Sequence, residues 1–511
     1  NKPVLYAMVS IHSREYPPAE LVTRFAEHLL SQYGQDADVT WLVDHHEIHL
    51  LLIGNPDGRV ISENESSANQ RKNRNEDHCF NGNQQGVDMN RNFEFKWNQG
   101  SGSSGQDCST AFRGDSLLSE PETSAIDSYI STLFTDDRPD DMVTAAPLTK
   151  MGVYLDIHNV AELTLFPWGF DNNIGQAPNH NQLQTLARRM SYFTGYRAEQ
   201  SNQSLGGADG ASDDNAYGKL GVAAYTIELG EGGFYSSCNA FENTIWPDNL
   251  GAMLYAAKAS RQPYIDSSGP TIENLPSMPV EGASGQNLTV QGLATDLNFY
   301  QNNGTESTQN ITAVQVFIGT PPWANGASPI ALSAQDGSFN SKSETFTGQV
   351  PLTGLPSGKH LVWVTATDAS GITGVPSAFF VDVVNQGDLG TLSGTVTEQG
   401  SNNPIELAQI NYDGLITTTN ASGFYEIQAT ARTADLLVSK AGYEAMTFNG
   451  VSILAQQTTT QNAQLMLKCG DISNDMNAYS SFNDAAADGW SAGASPGTND
   501  WRIENNDGVV R

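Results

Sequence analysis

Through the first half of the chain, short apolar runs alternate with longer amphipathic stretches. VLYAMVSIH gives way to AELVTRFAEHLLSQY, then to IHLLLIG, and later come GVYLDIH and AAYTIEL. Apolar runs of that length, separated by helical periodicity, predict strands joined by helices, an α/β arrangement. The strands are expected centrally in a mostly parallel or mixed sheet with helices on both faces, and in such sheets a site sits at the strand carboxyl ends. After the DSSGP stretch at 266–270 the texture changes to short Val/Thr/Ile/Phe-rich runs punctuated by Gly, Asn, Ser and Pro, such as AVQVFIG, HLVWVTATD and AFFVDVV. That texture predicts a β-sandwich. A further break at NQGDLG introduces GTLSGTVTE, AQINYDG, GFYEIQA and LLVSKAGYE, a second small β domain. The expected division is 1–266, 269–385, 389–467 and 468–511, the last a fragment of a further domain of β jelly-roll type.

A chain of 511 residues is too long for one core, which agrees with several domains. It contains no uninterrupted apolar run long enough to span a bilayer. With 57 acidic against 25 basic side chains, the net charge of −32 repels nucleic acid and anionic membranes, so neither is expected as a partner. Cys79 and Cys108 bracket a Gly/Ser/Asn-rich loop that a disulfide could close, which fits a secreted or cell-surface location. The sequence opens directly in the strand-like PVLYAMVSIH, so an export signal is expected to have been removed or omitted.

Three strand ends carry the candidate chemistry. His12 and Glu15 stand at i and i+3 on the turn after the first run, where both can meet one ion. His158 ends GVYLDIH and Glu228 lies at the end of YTIEL. Two imidazoles and one carboxylate are a recognised catalytic zinc set, and Glu228 could then serve as base. Any one of these pieces is unremarkable; all four at strand ends of one α/β domain are not. His45, His46 and His49 precede LLLIG and read as strand residues with structural roles. His28, His78, His180 and His360 have no visible partners.

At this point the chain resembles the carboxypeptidase A/B/T family of zinc metallocarboxypeptidases, in a bacterial form with C-terminal β domains. The resemblance runs in order from Ile11 to Tyr264 through HSREYPPAE, NPDGR, RKNRN, GVDMNRNF, FRGDSLLSEPET, LDIH, TIELGEGGFY and AKASRQPY. It implies a single Zn²⁺ on His12, Glu15 and His158, with Glu228 as general base. It implies further that Arg71 polarises the scissile carbonyl, that Asn90 and Arg91 grip the terminal carboxylate of the substrate, and that Arg14 lines the next subsite unless it is simply a surface arginine. A guanidinium suits both jobs because it offers paired donors and stays charged.

Counting back without gaps from Glu228, Asp213 falls at the floor of the family's specificity pocket, which implies preference for C-terminal Lys or Arg. Asp209, Asp213 and Asp214 share a Gly/Ser loop that would equally suit solvation or a structural Ca²⁺. The family's mobile tyrosine has no counterpart, since Gly206 stands at its gapless position, and Tyr217 reads as core. The expected reaction is hydrolysis of the last peptide bond of peptides or proteins. The competing readings are a metallopeptidase for diaminopimelate-containing cell-wall peptides and an inactive surface-binding protein. The region 269–385 resembles an immunoglobulin-like sandwich and 389–467 a transthyretin-like, regulatory-type domain.

Overall fold

The structure is a computed structural model that describes residues 2–64, 69–79, 85–230, 232–468, 490–494 and 501–505. Two compact units divide it, residues 1–386 and 387–511.

The first unit opens with β1 (Val4–Val9), α1 (Pro17–Gln32), α2 (Ala37–His45), β2 (Glu47–Leu51), α3 (Pro56–Asn64) and α4 (Pro121–Leu133). It continues with β3 (Val153–Asn159), β4 (Leu163–Phe166), α5 (His180–Thr194), β5 (Arg197–Gln200), α6 (Ser201–Ser204), α7 (Ser212–Leu220), β6 (Ala223–Leu229), α8 (Cys238–Ala240) and α9 (Trp246–Ala259). The six strands form one mixed sheet in the order β2-β1-β3-β6-β4-β5. β2, β1, β3 and β6 run parallel, and β4 turns antiparallel to β6. Every residue of β1 and β3 is buried, as expected for strands covered on both faces. Prolines at the starts of α1, α4 and α9 fit helix N-termini, where a missing N–H costs nothing. His45 ends α2 instead of lying in a strand, and His46 caps that helix against Trp41, with ring centroids 5.2 Å apart.

The same unit continues into β7 (Thr271–Glu273), β8 (Val280–Ala283), β9 (Asn287–Thr295), β10 (Ile311–Ile318), β11 (Ile330–Ala334), β12 (Ser343–Pro351), β13 (Gly358–Asp368) and β14 (Ser377–Val384). Their order is β7-β9-β12-β11-β10-β13-β14-β8, antiparallel except for the β14–β8 pair. Alternation along β13 and β14 explains their continuous apolar runs. Val362, Val364, Phe379 and Val381 fill the core of this sheet, while Trp363, Ala378 and Phe380 turn into the core of the α/β part. Trp323 joins them, 5.4 Å from Trp41 and 6.3 Å from Trp363 between ring centroids, with Arg261 over its face.

The second unit holds β15 (Leu389–Glu398), β16 (Gln409–Tyr412), β17 (Leu415–Thr418), β18 (Phe424–Thr430), β19 (Arg432–Ser439), β20 (Met446–Ile453), β21 (Thr458–Thr460) and β22 (Ala463–Leu465). They make two small sheets around a core that includes Leu392, Tyr412, Tyr425 and Leu436. The architecture is therefore an α/β fold followed by β-rich domains. Of the expected jelly-roll fragment, only a pair of strands is described, β23 (Trp490–Ala494) and β24 (Trp501–Asn505); the rest lies outside the described residues. No helix among the described residues is long and apolar enough to cross a membrane.

Candidate active site

β1, β3 and β6 end on one side of the sheet, and each delivers a side chain to the same place. Leaving β1, the chain passes through Ser10 at φ +58°, a left-handed turn that few non-glycine residues adopt, and presents His12. Two prolines then start α1 and fix Glu15 just before it. His158 lies near the end of β3, and its ladder partner on the parallel strand β6 is Glu228. Adjacent strands lie about 4.8 Å apart, so this register sets the two side chains next to each other on one face.

The Nδ1 atoms of His12 and His158 stand 3.0 Å apart, Glu15 Oε1 lies 3.0 Å from His12 Nδ1, and Glu15 Oε2 lies 3.1 Å from His158 Nδ1. All three residues are buried, and among the described residues they are the one group of three or more histidine, cysteine or acidic side chains whose atoms converge tightly enough to hold an ion. The far nitrogens of both imidazoles meet carboxylates, His12 Nε2 at 3.1 Å from Asp88 Oδ1 and His158 Nε2 at 3.0 Å from Asp156 Oδ2. Two inward Nδ1 atoms, each backed by an outer acid, are the arrangement that orients imidazoles for a metal.

The electrostatics agree. Burial alone would raise the Glu15 carboxyl, but His12 and His158 hold it well below the usual carboxylate range. Burial would likewise lower His158, yet Asp156 and Glu15 raise it well above the ordinary imidazole value. The same anionic surroundings that keep a proton there would favour a divalent cation. Glu228, by contrast, is pushed up to about 7 by burial, with Glu15 and Asp156 adding to the effect and His158 and Arg71 opposing it.

Arg71 donates from Nε and Nη2 to Asp88 Oδ2 at 3.1 and 3.0 Å, leaving Nη1 4.0 Å from Glu15 Oε1. One carboxylate, Asp88, thus fixes both a candidate ligand and the candidate electrophile. Ser13 stitches the two segments together, its N–H donating to Arg71 O at 3.1 Å and its hydroxyl to Gln70 O at 2.7 Å. Lys72, fully buried, donates to the carbonyls of Asp107 and Ser109 on either side of Cys108, which is disulfide-bonded to Cys79. Cys238 is free and exposed.

Asn90 and Arg91 lie on the next turn. Asn90 Oδ1 accepts from Ser212 N at 2.9 Å, and its Nδ2 is 3.4 Å from His158 Nε2. Arg91 donates to Gly102 O and Asn90 O and feels the charges of Asp209 and Asp213. Gly210, at φ +76°, packs so closely there that a Cβ would come within 2.5 Å of Arg91 O.

The helix that follows, α7, carries in its first turn Asp213, 3% exposed, which accepts from Ser201 Oγ at 3.2 Å and from Asp214 N at 2.9 Å. Burial raises both Asp213 and Asp214. Asp209 accepts from Ser103 N and Asp214 from Gly169 N, so the three carboxylates face different partners. Arg14 lies at the rim, bonded to Asn69 Oδ1 at 2.9 Å and stacked 4.2 Å over Phe234. Gly206 stands at φ +80° on the loop before α7, while Tyr217 is buried with its hydroxyl on Asn179.

His12, Glu15, His158, Glu228 and Arg71 therefore meet in one cluster, with Asn90, Arg91 and Asp213 around it and Arg14 further out. Asp88 and Asp156 were missed by the sequence reading, although each lies inside a quoted motif, GVDMNRNF and LDIH. An acid set between the apolar residues Leu155 and Ile157 of a strand is the sequence signal for Asp156.

Residues 1–249 match the family model described as zinc carboxypeptidase, and 391–466 match that of the carboxypeptidase regulatory-like domain. A metallocarboxypeptidase A-like protein of Trichophyton verrucosum is 29% identical over 245 residues, 46% of this chain and 52% of its own. Mus musculus carboxypeptidase A2 is 28% identical, covering 46% of this chain and 53% of its own, and Canis lupus familiaris carboxypeptidase B is 27% identical with the same coverage. A solved carboxypeptidase A from Helicoverpa armigera aligns over 52% of this chain and 61% of its own, at 25% identity and a TM-score of 0.40. The chain spans about half the length of the curated relatives it matches. The α/β domain that brings His12, Glu15 and His158 together belongs to the zinc carboxypeptidase family.

Proposed function

We propose that the α/β domain is a zinc-dependent exopeptidase that hydrolyses the last peptide bond of peptides or proteins, with preference for C-terminal Lys or Arg. The observation that carries this reading is the buried convergence of His12, Glu15 and His158 with Glu228 and Arg71 beside it. Two imidazoles and a carboxylate would hold zinc, which when bound supplies Lewis-acid polarisation and water activation near neutral pH.

Glu228 takes the proton from the attacking water and passes it to the leaving amine. A carboxyl pushed up to about 7 can hold and release that proton at neutral pH. Arg71, locked on Asp88, offers Nη1 to the negative charge that develops on the scissile carbonyl oxygen. Asn90 and Arg91 receive the terminal carboxylate, which restricts cleavage to the last residue. Asp213 meets the cationic end of that residue's side chain, and Arg14 borders the preceding subsite. The Cys79–Cys108 disulfide and the acidic charge support a secreted or cell-surface setting.

The test is release of free amino acid from peptides that differ only in their C-terminal Lys, Arg, Leu, Phe or Glu. Chelator-sensitive release, with Lys and Arg ahead of Leu by roughly a hundredfold, is expected, because an unpaired buried carboxylate costs about 3 kcal/mol. Glu228→Gln should lower kcat by about 10²- to 10⁴-fold. Preference for Leu or Phe would sink the Asp213 role alone. Zinc binding without activity on any of these peptides would redirect the reading to cell-wall peptides or to a binding role.

A further inference from the structure

Asp156 lies two residues before His158 on β3, so strand alternation puts both on one face of the sheet. It is fully buried, and its Oδ1 has no hydrogen-bond partner among the described residues. A carboxylate kept in a dry core with one oxygen idle is expensive for folding, and a smaller apolar residue would suit the strand better. What it does touch is specific. Its Oδ2 lies 3.0 Å from His158 Nε2 and accepts the hydroxyl proton of Ser212. Ser212 opens α7, and its own N–H donates to Asn90 Oδ1 at 2.9 Å. The next residue is Asp213.

We infer that Asp156 and Ser212 are a positioning pair: Asp156 fixes the His158 ring with Nδ1 turned to the metal, and Ser212 locks that acid to the start of the helix carrying Asp213. An Nε2–H directed at Asp156 leaves the Nδ1 lone pair free for the ion, and the same serine holds the Asn90 amide in place. Metal ligation and recognition of the substrate's last residue thus share one hydrogen-bonded node. The inference rests on the zinc-site reading above and adds to it a residue pair that would couple affinity for metal to affinity for substrate.

The measurement is zinc affinity of the full chain by competition with a chromophoric chelator, with unfolding temperature followed in parallel. Asp156→Asn is expected to weaken zinc 10- to 100-fold. Ser212→Ala, the milder change, should weaken zinc less but raise KM for a C-terminal Lys peptide more than it lowers kcat, and Ser212→Thr, which keeps the hydroxyl, should recover both. Unchanged zinc affinity in Asp156→Asn and Ser212→Ala, with only the unfolding temperature lowered, would reduce the pair to packing and overturn the inference. A change in Lys-over-Leu preference at constant zinc affinity would overturn it too, by making Asp156 a substrate contact. Wild-type protein that binds no zinc would sink the site reading as well, whereas tight wild-type binding matched by Asp156→Asn would sink this inference alone.

Discussion

Arg71 owes its position to a single partner. Asp88 takes two of its N–H groups and also takes His12 Nε2, so one buried acid sets the geometry of both residues. Burial would raise Asp88, but Arg71 and His12 hold it well below the usual carboxylate range, and it stays charged for the task. Arg71→Met is therefore expected to reduce kcat/KM for a C-terminal Lys peptide by about 10²- to 10³-fold, the range seen when an oxyanion donor is removed. Zinc affinity should change far less, which a chelator competition will check. The candidate ligands were legible in sequence because His12 and Glu15 are three residues apart and His158 lies near a strand end. Asp88 was not, since its partner His12 is 76 residues away and no local pattern joins them.

Between elements, α5 is anchored by a side chain whose surroundings only the folded chain assembles. Arg189, 1% exposed, donates to the carbonyls of Ser267, Gly269 and Asn298 and to Asp296, and lies 3.5 Å over the Phe299 ring. Burial lowers Arg189 and pushes Asp296 up to about 6, so desolvation opposes the ion pair; the carbonyl contacts and the ring offset it. Arg189→Met should cost about 3–5 kcal/mol in urea unfolding, because it strands Asp296 and the buried carbonyls of Ser267 and Gly269.

A second element-scale consequence follows at the helical turn Asp266–Ser268, where burial pushes Asp266 up to about 7 against the opposing charge of Arg261. The unfolded chain ionises near 4, the folded one near 7. Stability on this account is greatest below about pH 4 and falls as pH rises to about 7. Asp266→Asn should thus gain on the order of 2 kcal/mol over wild type at pH 8 and nothing at pH 4, which urea midpoints at the two pH values will show.

At the scale of the whole molecule, two compact units share one chain, and the candidate metal site lies in the first. A ligand that binds only the folded form stabilises it by mass action. Calorimetry should show zinc raising the transition of the first unit by several degrees, chelator reversing it, and the transition of the second unit unmoved. Sequence alone determined the α/β character and the turn to β-rich structure after the DSSGP stretch, and it singled out His12, Glu15 and His158 as candidate ligands, because each is written in short-range patterns: apolar runs, breaker residues and motifs a few positions long. Tertiary structure alone decided that β13 and β14 bury both faces, with Trp363 and Phe380 turned into the α/β core. It alone showed that His45 ends a helix, and that Asp88 and Asp156 stand behind the two imidazoles. The physical reason is that periodicity reports which face of a strand is apolar, whereas which buried surface or charge meets it is settled by how the folded chain brings side chains together, in the case of His12 and Asp88 across 76 positions.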